Sequence, residues 1–118
     1  MVTPVQGDVW WVRFGPSGDS GPSGMRPAVV VQNDLLNRSK LRTTVVALIT
    51  SNLKLGRMPG NLPLAKQTAN LSKPSVVVVS QLATVDKSRL LEKIGSLPQA
   101  VIEDVVEGCR GVLARQMF

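Results

Sequence analysis

Pro27-Ala28-Val29-Val30-Val31-Gln32-Asn33-Asp34 reads as a buried strand ending in a turn, and Thr44-Val45-Val46-Ala47-Leu48-Ile49 reads as a second strand running into Thr50-Ser51-Asn52. Both runs are apolar at successive positions and rich in β-branched side chains, the pattern of strands covered on both faces. Upstream of the first lies a Gly/Pro/Ser loop, residues 15–25, with little side-chain mass to fix it. Arg26 therefore stands where a mobile loop meets a strand. Arginine stays charged at any working pH, and its planar fork matches phosphate oxygens. If the two strands pair, a guanidinium and a hydroxyl face one another at a sheet end, and such a pair suits a phosphodiester.

Outward from these runs the chain is a series of short strands. Val9-Trp10-Trp11-Val12-Arg13-Phe14 follows the Gly7-Asp8 turn signal and is apolar at nearly every position. Trp10 and Trp11 point to opposite faces of such a strand. Core packing is the expectation for both, with base stacking the rival use of one. With two Trp, two Phe and no Tyr in the chain, a wide aromatic platform for single strands is excluded. Asn33-Asp34 offers a cap for a short helical turn through residues 35–37. Residues 51–60 read as a second mobile, basic loop, and Asn61-Leu62-Pro63-Leu64 as an edge strand, because Pro63 cannot donate to a ladder. Val76-Val77-Val78-Val79 is a buried strand; Gln81 to Asp86 continues it or turns after it, and Leu90 to Ile94 forms one more.

One clear helix closes the chain. Ser96-Leu97-Pro98-Gln99 has capping-box spacing, and Val101, Ile102, Val105, Val106, Cys109, Val112 and Leu113 recur at helical intervals. Gly108 and Gly111 interrupt it, which permits a close backbone approach, conceivably from another subunit. Short strands with one terminal helix in 118 residues predict a single domain over residues 1–118, mainly β, built as a small, strongly curved antiparallel barrel. A small barrel has one interior, so a spare apolar face is expected to be covered by homodimerisation.

The composition narrows the chemistry. Histidine is absent, so Ser-His-Asp, Cys-His, paired-histidine ribonuclease chemistry and histidine-ligated zinc are all impossible. Asp8, Asp19, Asp34 and Asp86 are scattered singly, whereas a two-metal nuclease wants clustered carboxylates; neither a metal nor another cofactor is expected. The single cysteine, Cys109, excludes an intrachain disulfide and sits among apolar residues as a small hydrophobe. Cysteine usage fits a reducing cytoplasm, the first residues lack the pattern of a signal peptide, and no stretch approaches a membrane span.

Charge is uneven. Residues 26–66 carry seven bases (Arg26, Arg38, Lys40, Arg42, Lys54, Arg57 and Lys66) against Asp34 alone, which accounts for the whole net charge of +6. A basic segment of this kind favours a polyanion, either nucleic acid or an acidic protein segment.

Four stretches, in order, resemble the MazF/PemK (Kid) family of bacterial toxin endoribonucleases. They are Gly7-Asp8-Val9-Trp10, Gly24-Met25-Arg26-Pro27 with its strand through Asp34, Val45 through Thr50-Ser51, and Ser80-Gln81-Leu82-Ala83-Thr84-Val85-Asp86-Lys87-Ser88-Arg89-Leu90. The resemblance implies an SH3-like barrel homodimer, CcdB/MazF-like in fold, that cuts single-stranded RNA at short sequences. It implies that Arg26 and Thr50 are catalytic, that no metal is used, and that the products end in a 2′,3′-cyclic phosphate and a 5′-hydroxyl. It also implies neutralisation by a cognate MazE-like antitoxin whose acidic tail covers the RNA groove. Two places depart from the family pattern. Asp19-Ser20-Gly21 stands where relatives often carry Ser-Glu-Gln, and Ser80 stands where many place an acid. Both bear on which RNA sequence is recognised.

On this reading Arg26 straddles the scissile phosphate, stabilises its added negative charge and stands near the leaving oxygen, although a guanidinium is a poor acid. Thr50 hydrogen-bonds a non-bridging oxygen. Bases splayed from the strand are expected to meet Ser17, Met25, Ser51, Asn52, Lys54, Ser80 and Gln81, with Arg42, Arg57 and Lys54 on phosphates. Two rivals remain at this point. A gyrase poison of the CcdB type shares the fold but acts through a Trp-Gly-Ile ending, and this chain ends Arg115-Gln116-Met117-Phe118. A noncatalytic module would bind RNA or antitoxin and leave the RNA intact.

Overall fold

The computed structural model describes residues 2–15 and 24–115. Six antiparallel strands form one sheet: β1 (Asp8–Phe14), β2 (Gly24–Val30), β3 (Thr43–Thr50), β4 (Leu62–Leu64), β5 (Ser75–Asp86) and β6 (Leu90–Ser96). Their spatial order is β4-β5-β3-β2-β1-β6, so the first strand pairs with the last. A one-turn helix, α1 (Asp34–Asn37), joins β2 to β3, and α2 (Gln99–Leu113) ends the described chain. The sheet curls into a half-barrel with α2 on one face, which is the expected mainly-β architecture.

Both faces are buried within the single chain. Val9, Val29, Ala47, Ile49, Val77 and Val79 pack with Ile102, Val105 and Cys109 of α2. On the other face Trp10, Val12, Phe14, Val30, Leu48 and Leu90 fill the curl. A partner copy is therefore not needed to cover a spare core face. Cys109 is buried in the first cluster, as expected of a small hydrophobe, and burial pushes its thiol above the ordinary range.

The half-barrel is closed by a strap rather than by a strand. A turn of 3-10 helix at Thr68–Asn70 packs against β6, where the Asn70 amide nitrogen donates to the Ile94 carbonyl at 3.1 Å. Gly95 makes this approach possible: a Cβ there would lie 2.7 Å from the Ala69 carbonyl carbon.

The structure refines several local expectations. β2 begins at Gly24, so Met25 and Arg26 lie inside a strand, opposite Arg13 and Val12. Of the two readings for the segment from Gln81 to Asp86, the structure takes continuation of β5, with Val79, Ser80 and Gln81 bulging between the partners of Leu48 and Ala47. Asn61 pins that bulge: its side-chain oxygen accepts from the Val79 N–H at 3.0 Å while its amide nitrogen donates to the Leu55 carbonyl at 2.9 Å. The same bonds organise the 51–60 segment, which holds a 3-10 turn (Leu53–Arg57) capped by the Asn52 side chain rather than an open loop.

The capping box at the start of the last helix is not formed. Ser96 ends β6, and its hydroxyl donates to the Asp8 carboxylate at 3.2 Å; α2 starts at Gln99 behind Pro98 with no side-chain cap. The close approach at Gly108 is internal, since a Cβ there would lie 2.5 Å from the Gly60 carbonyl oxygen.

Candidate functional site

The site forms where β2 and β3 part. β1 pairs with β2 from Val29 back to Gly24, but β2 pairs with β3 only over Ala28–Val30. Pro27 has no N–H to give a ladder, and pairing with β3 begins one residue after it. Beyond that point β3 stays with β5, Thr50 opposite Val76. Carrying the Ala28–Leu48 register two residues further brings Arg26 level with Thr50. Arg26, Ala28 and Val30 share one face of β2 by strand alternation, as Thr50, Leu48 and Val46 share that face of β3.

A cleft of about 530 Å³ opens there, within the size range of small-molecule sites. Gly24 to Pro27 line one side and Ile49, Thr50 and Ser51 another; the strap and the start of β5, through Asn70, Leu71, Ser72, Lys73 and Ser75, complete it. Trp11 and Ile94 border it as well. Arg26 and Lys73 bring two cations, and no carboxylate is among the described lining residues. Such a cleft favours an anion.

The Thr50 hydroxyl is oriented by the chain that follows. Its oxygen accepts from the Asn52 backbone N–H at 3.1 Å, which leaves the hydroxyl proton to donate to a ligand. Asn52 in turn caps the Leu53–Arg57 turn through its side-chain oxygen, 3.3 Å from the Lys54 N–H. Its amide oxygen is thus used by the fold.

The candidate residues from the sequence do not all gather. Met25, Arg26, Thr50 and Ser51 line the one cleft. Lys54 and Arg57 follow in the exposed 3-10 turn, which packs on β4 and β5. Ser80 and Gln81 are exposed on the β5 bulge, beside Leu48 rather than in the cleft lining. Arg42 precedes β3 at its far end, about 26 Å from Thr50 by strand rise. There, hydrogen bonds from the Ser88 backbone and side chain hold the Asp86 carboxyl below its ordinary range, aided by the charges of Arg42 and Arg89. Ser17, with most of the first loop, lies outside the described residues.

The Asn70–Ser75 wall was not among the sequence candidates, and Trp11 was expected in the core, with base stacking by it or Trp10 as the rival use. Asn70-Leu71-Ser72-Lys73-Pro74 carries the turn chemistry that could have flagged the wall. Its position follows only once β5 is known to pair antiparallel with β3, which brings Ser75 to the Thr50 end. Among the described residues no three carboxylate or thiol groups come together as a metal-binding cluster, and no helix is long and apolar enough to cross a membrane.

Comparison with known proteins agrees with this architecture. Residues 5–113 match the family model of the PemK-like, MazF-like toxin of type II toxin–antitoxin systems. The chain is similar to endoribonuclease MazF6 of Mycobacterium tuberculosis, 39% identical over 106 residues that cover 90% of this chain and 93% of that protein. Endoribonuclease EndoA of Bacillus subtilis is 32% identical over 109 residues, 92% of this chain and 93% of the relative. Among solved structures, MazF from Deinococcus radiodurans shares the fold with a TM-score of 0.77 at 24% identity, covering 96% of this chain and 98% of that one. A MazE–MazF structure from the same organism superposes with a TM-score of 0.73 at 26% identity, covering 95% and 97%. With nearly the whole chain matched by the family model and these relatives, the protein belongs to the PemK-like, MazF-like toxin family of type II toxin–antitoxin systems.

Proposed function

We propose that this family member is a sequence-specific endoribonuclease that cuts single-stranded RNA without a metal, through Arg26 and Thr50. The observation that carries the reading is the pairing of a guanidinium and an oriented hydroxyl at one cation-lined cleft, in a chain with no histidine. The RNA's own 2′-hydroxyl attacks the adjacent phosphorus, the bond from phosphorus to the 5′-oxygen breaks, and the products carry a 2′,3′-cyclic phosphate and a 5′-hydroxyl. Water takes the 2′-proton and supplies one to the 5′-oxygen. Arg26 donates its fork to the phosphorane oxygens, whose charge is greatest at the transition state, and Thr50 donates its hydroxyl proton to one of them. Met25 and Ser51, in the same cleft, are placed to meet a flanking base. DNA lacks the 2′-nucleophile and stays intact.

The same cleft accounts for the partners. A cognate MazE-like antitoxin with an acidic tail would meet the cations Arg26 and Lys73 there. A homodimer is the remaining part of the reading; Leu35, Leu36 and Leu41, exposed around α1, offer apolar surface for it. Sedimentation equilibrium should return twice the chain mass, and a single-chain mass at working concentration would remove the dimer from this account. The activity is tested by offering the pure protein an RNA of mixed sequence and its DNA counterpart. Discrete RNA fragments with cyclic-phosphate ends and intact DNA are expected; RNA that binds but survives would instead favour a noncatalytic module.

A further inference from the structure

Trp11 is the one apolar residue of β1 that the core does not absorb. Val9 and Val12 are fully buried and Trp10 is 8% exposed, whereas Trp11 is 37% exposed. It sits between Pro27 on β2 and Glu92 on β6. The β1–β6 ladder slips on both sides of this place, between Val9 and Trp10 and between Trp11 and Val12. Bulges of this kind re-aim side chains and are frequent beside functional sites. Trp11 borders the same cleft as Arg26 and Thr50, in company with the apolar Pro27, Leu71 and Ile94, while Lys73 brings a second cation from the strap side.

We propose that Trp11 and Lys73 form a distinct subsite of the cleft that takes one unpaired nucleobase and its phosphate, next to the phosphate held by Arg26 and Thr50. The inference rests on the RNA-cleaving reading above and deepens it. An exposed indole gives any base a stacking surface but only when the base has left a duplex, so the subsite selects single strands without reading sequence. Lys73 is a flexible point charge, suited to holding a phosphate; the rigid fork of Arg26 suits the phosphate that reacts.

The strap that carries Lys73 is braced. Asn70 is bonded to Ile94 at 3.1 Å, and Gln67, Ala69 and Asn70 all adopt positive φ, 74°, 51° and 62°. Asparagine adopts this region readily, but Gln67 and Ala69 hold it against their preference, and such residues cluster at ligand clamps.

The test uses a labelled pool of random-sequence, 2′-O-methyl RNA oligonucleotides, which lack the nucleophile and so survive binding. Trp11→Ala should weaken binding of the pool about tenfold, while Trp11→Phe, which keeps a ring, should lose far less. Lys73→Gln should lower the slope of log affinity against log salt by about one. Unchanged affinity in Trp11→Ala and an unchanged slope in Lys73→Gln would overturn the subsite; the ribonuclease reading would still stand if the natural chain cuts unmodified RNA. Weakened binding together with no cutting by the natural chain would do the reverse. A natural chain that does not bind the pool at all overturns the subsite. Should Trp11→Ala fail to fold, the natural chain decides: the pool should shield tryptophan emission from acrylamide, and Trp11→Phe should abolish that shielding. Emission that stays equally quenchable with RNA bound would overturn the proposal.

Discussion

At the residue scale the account stands on Arg26 and Thr50. Arg26→Ala should lower the cleavage rate by at least the ~10²–10³ that follows from losing one transition-state donor. Arg26→Lys should recover only part of it, because a point charge replaces a bidentate fork. Thr50→Ala should cost on the order of 10²–10³, and Thr50→Ser, which keeps the hydroxyl, should lose much less. Initial rates on a fluorescent RNA measure these effects, with far-UV circular dichroism confirming that the fold persists. Arg26 stood out in the sequence as a fixed cation where a loop meets a strand, and the family resemblance made it a catalytic candidate. Thr50 entered only through that resemblance, since an ordinary strand or turn residue is the plainer reading of its position. For Trp11 the sequence left core packing ahead of base stacking, and only the bulged pairing with β6 leaves it partly in solvent.

The elements place these residues through close backbone contacts. Gly108 of α2 lies against the Gly60 carbonyl, and Gly95 of β6 against Ala69. Gly108→Ala gains about 1 kcal/mol of helix propensity but loses about 1–3 kcal/mol by pressing a methyl on a backbone carbonyl. The net is destabilisation, read as a lower urea midpoint. Gly95→Ala also gains a little backbone propensity within β6, but its methyl meets both the carbonyl carbon and oxygen of Ala69, so it should lower the midpoint as well and loosen the cleft wall. A midpoint that stays level or rises in Gly95→Ala would contradict the closure of the half-barrel by the strap. The strands themselves were legible from composition. Their neighbours were not: β1 beside β6 joins residues such as Asp8 and Ser96 from opposite ends of the chain, and no local pattern specifies that. The start of α2 was misread for a related reason, since Asp8, distant in sequence, takes the Ser96 hydroxyl.

The whole molecule has an electrostatic character that the cleft uses. The net charge is +6 with no histidine, so no side chain of ordinary pKa changes charge between about pH 6 and 8, and thermal stability should be level there. Asp86 is held below its ordinary range, first by the Ser88 N–H. It stabilises the fold above the unfolded carboxylate pKa, and that contribution is lost as pH falls through its folded value. Burial raises the Cys109 thiol, so its contribution is intact below the ordinary thiol range and is lost as pH climbs through the folded value. Differential scanning fluorimetry across pH should give a plateau that falls at both ends, and Asp86→Asn should flatten part of the acid limb. The basic balance was plain in the sequence, but its geometry was not. Arg42 stands at the far end of β3 beside Asp86, whereas Lys73, outside the most basic segment, reaches the cleft.

In the proposed function Arg26 and Thr50 cleave RNA by positioning and charge alone. The most direct measurement is end-group analysis of a mixed-sequence RNA incubated in EDTA with the natural chain and with Arg26→Ala. The account predicts fragments with 2′,3′-cyclic phosphate and 5′-hydroxyl ends from the natural chain and intact RNA from the variant. Cleavage by the natural chain only after a divalent metal is restored, or undiminished cleavage by Arg26→Ala, would contradict it.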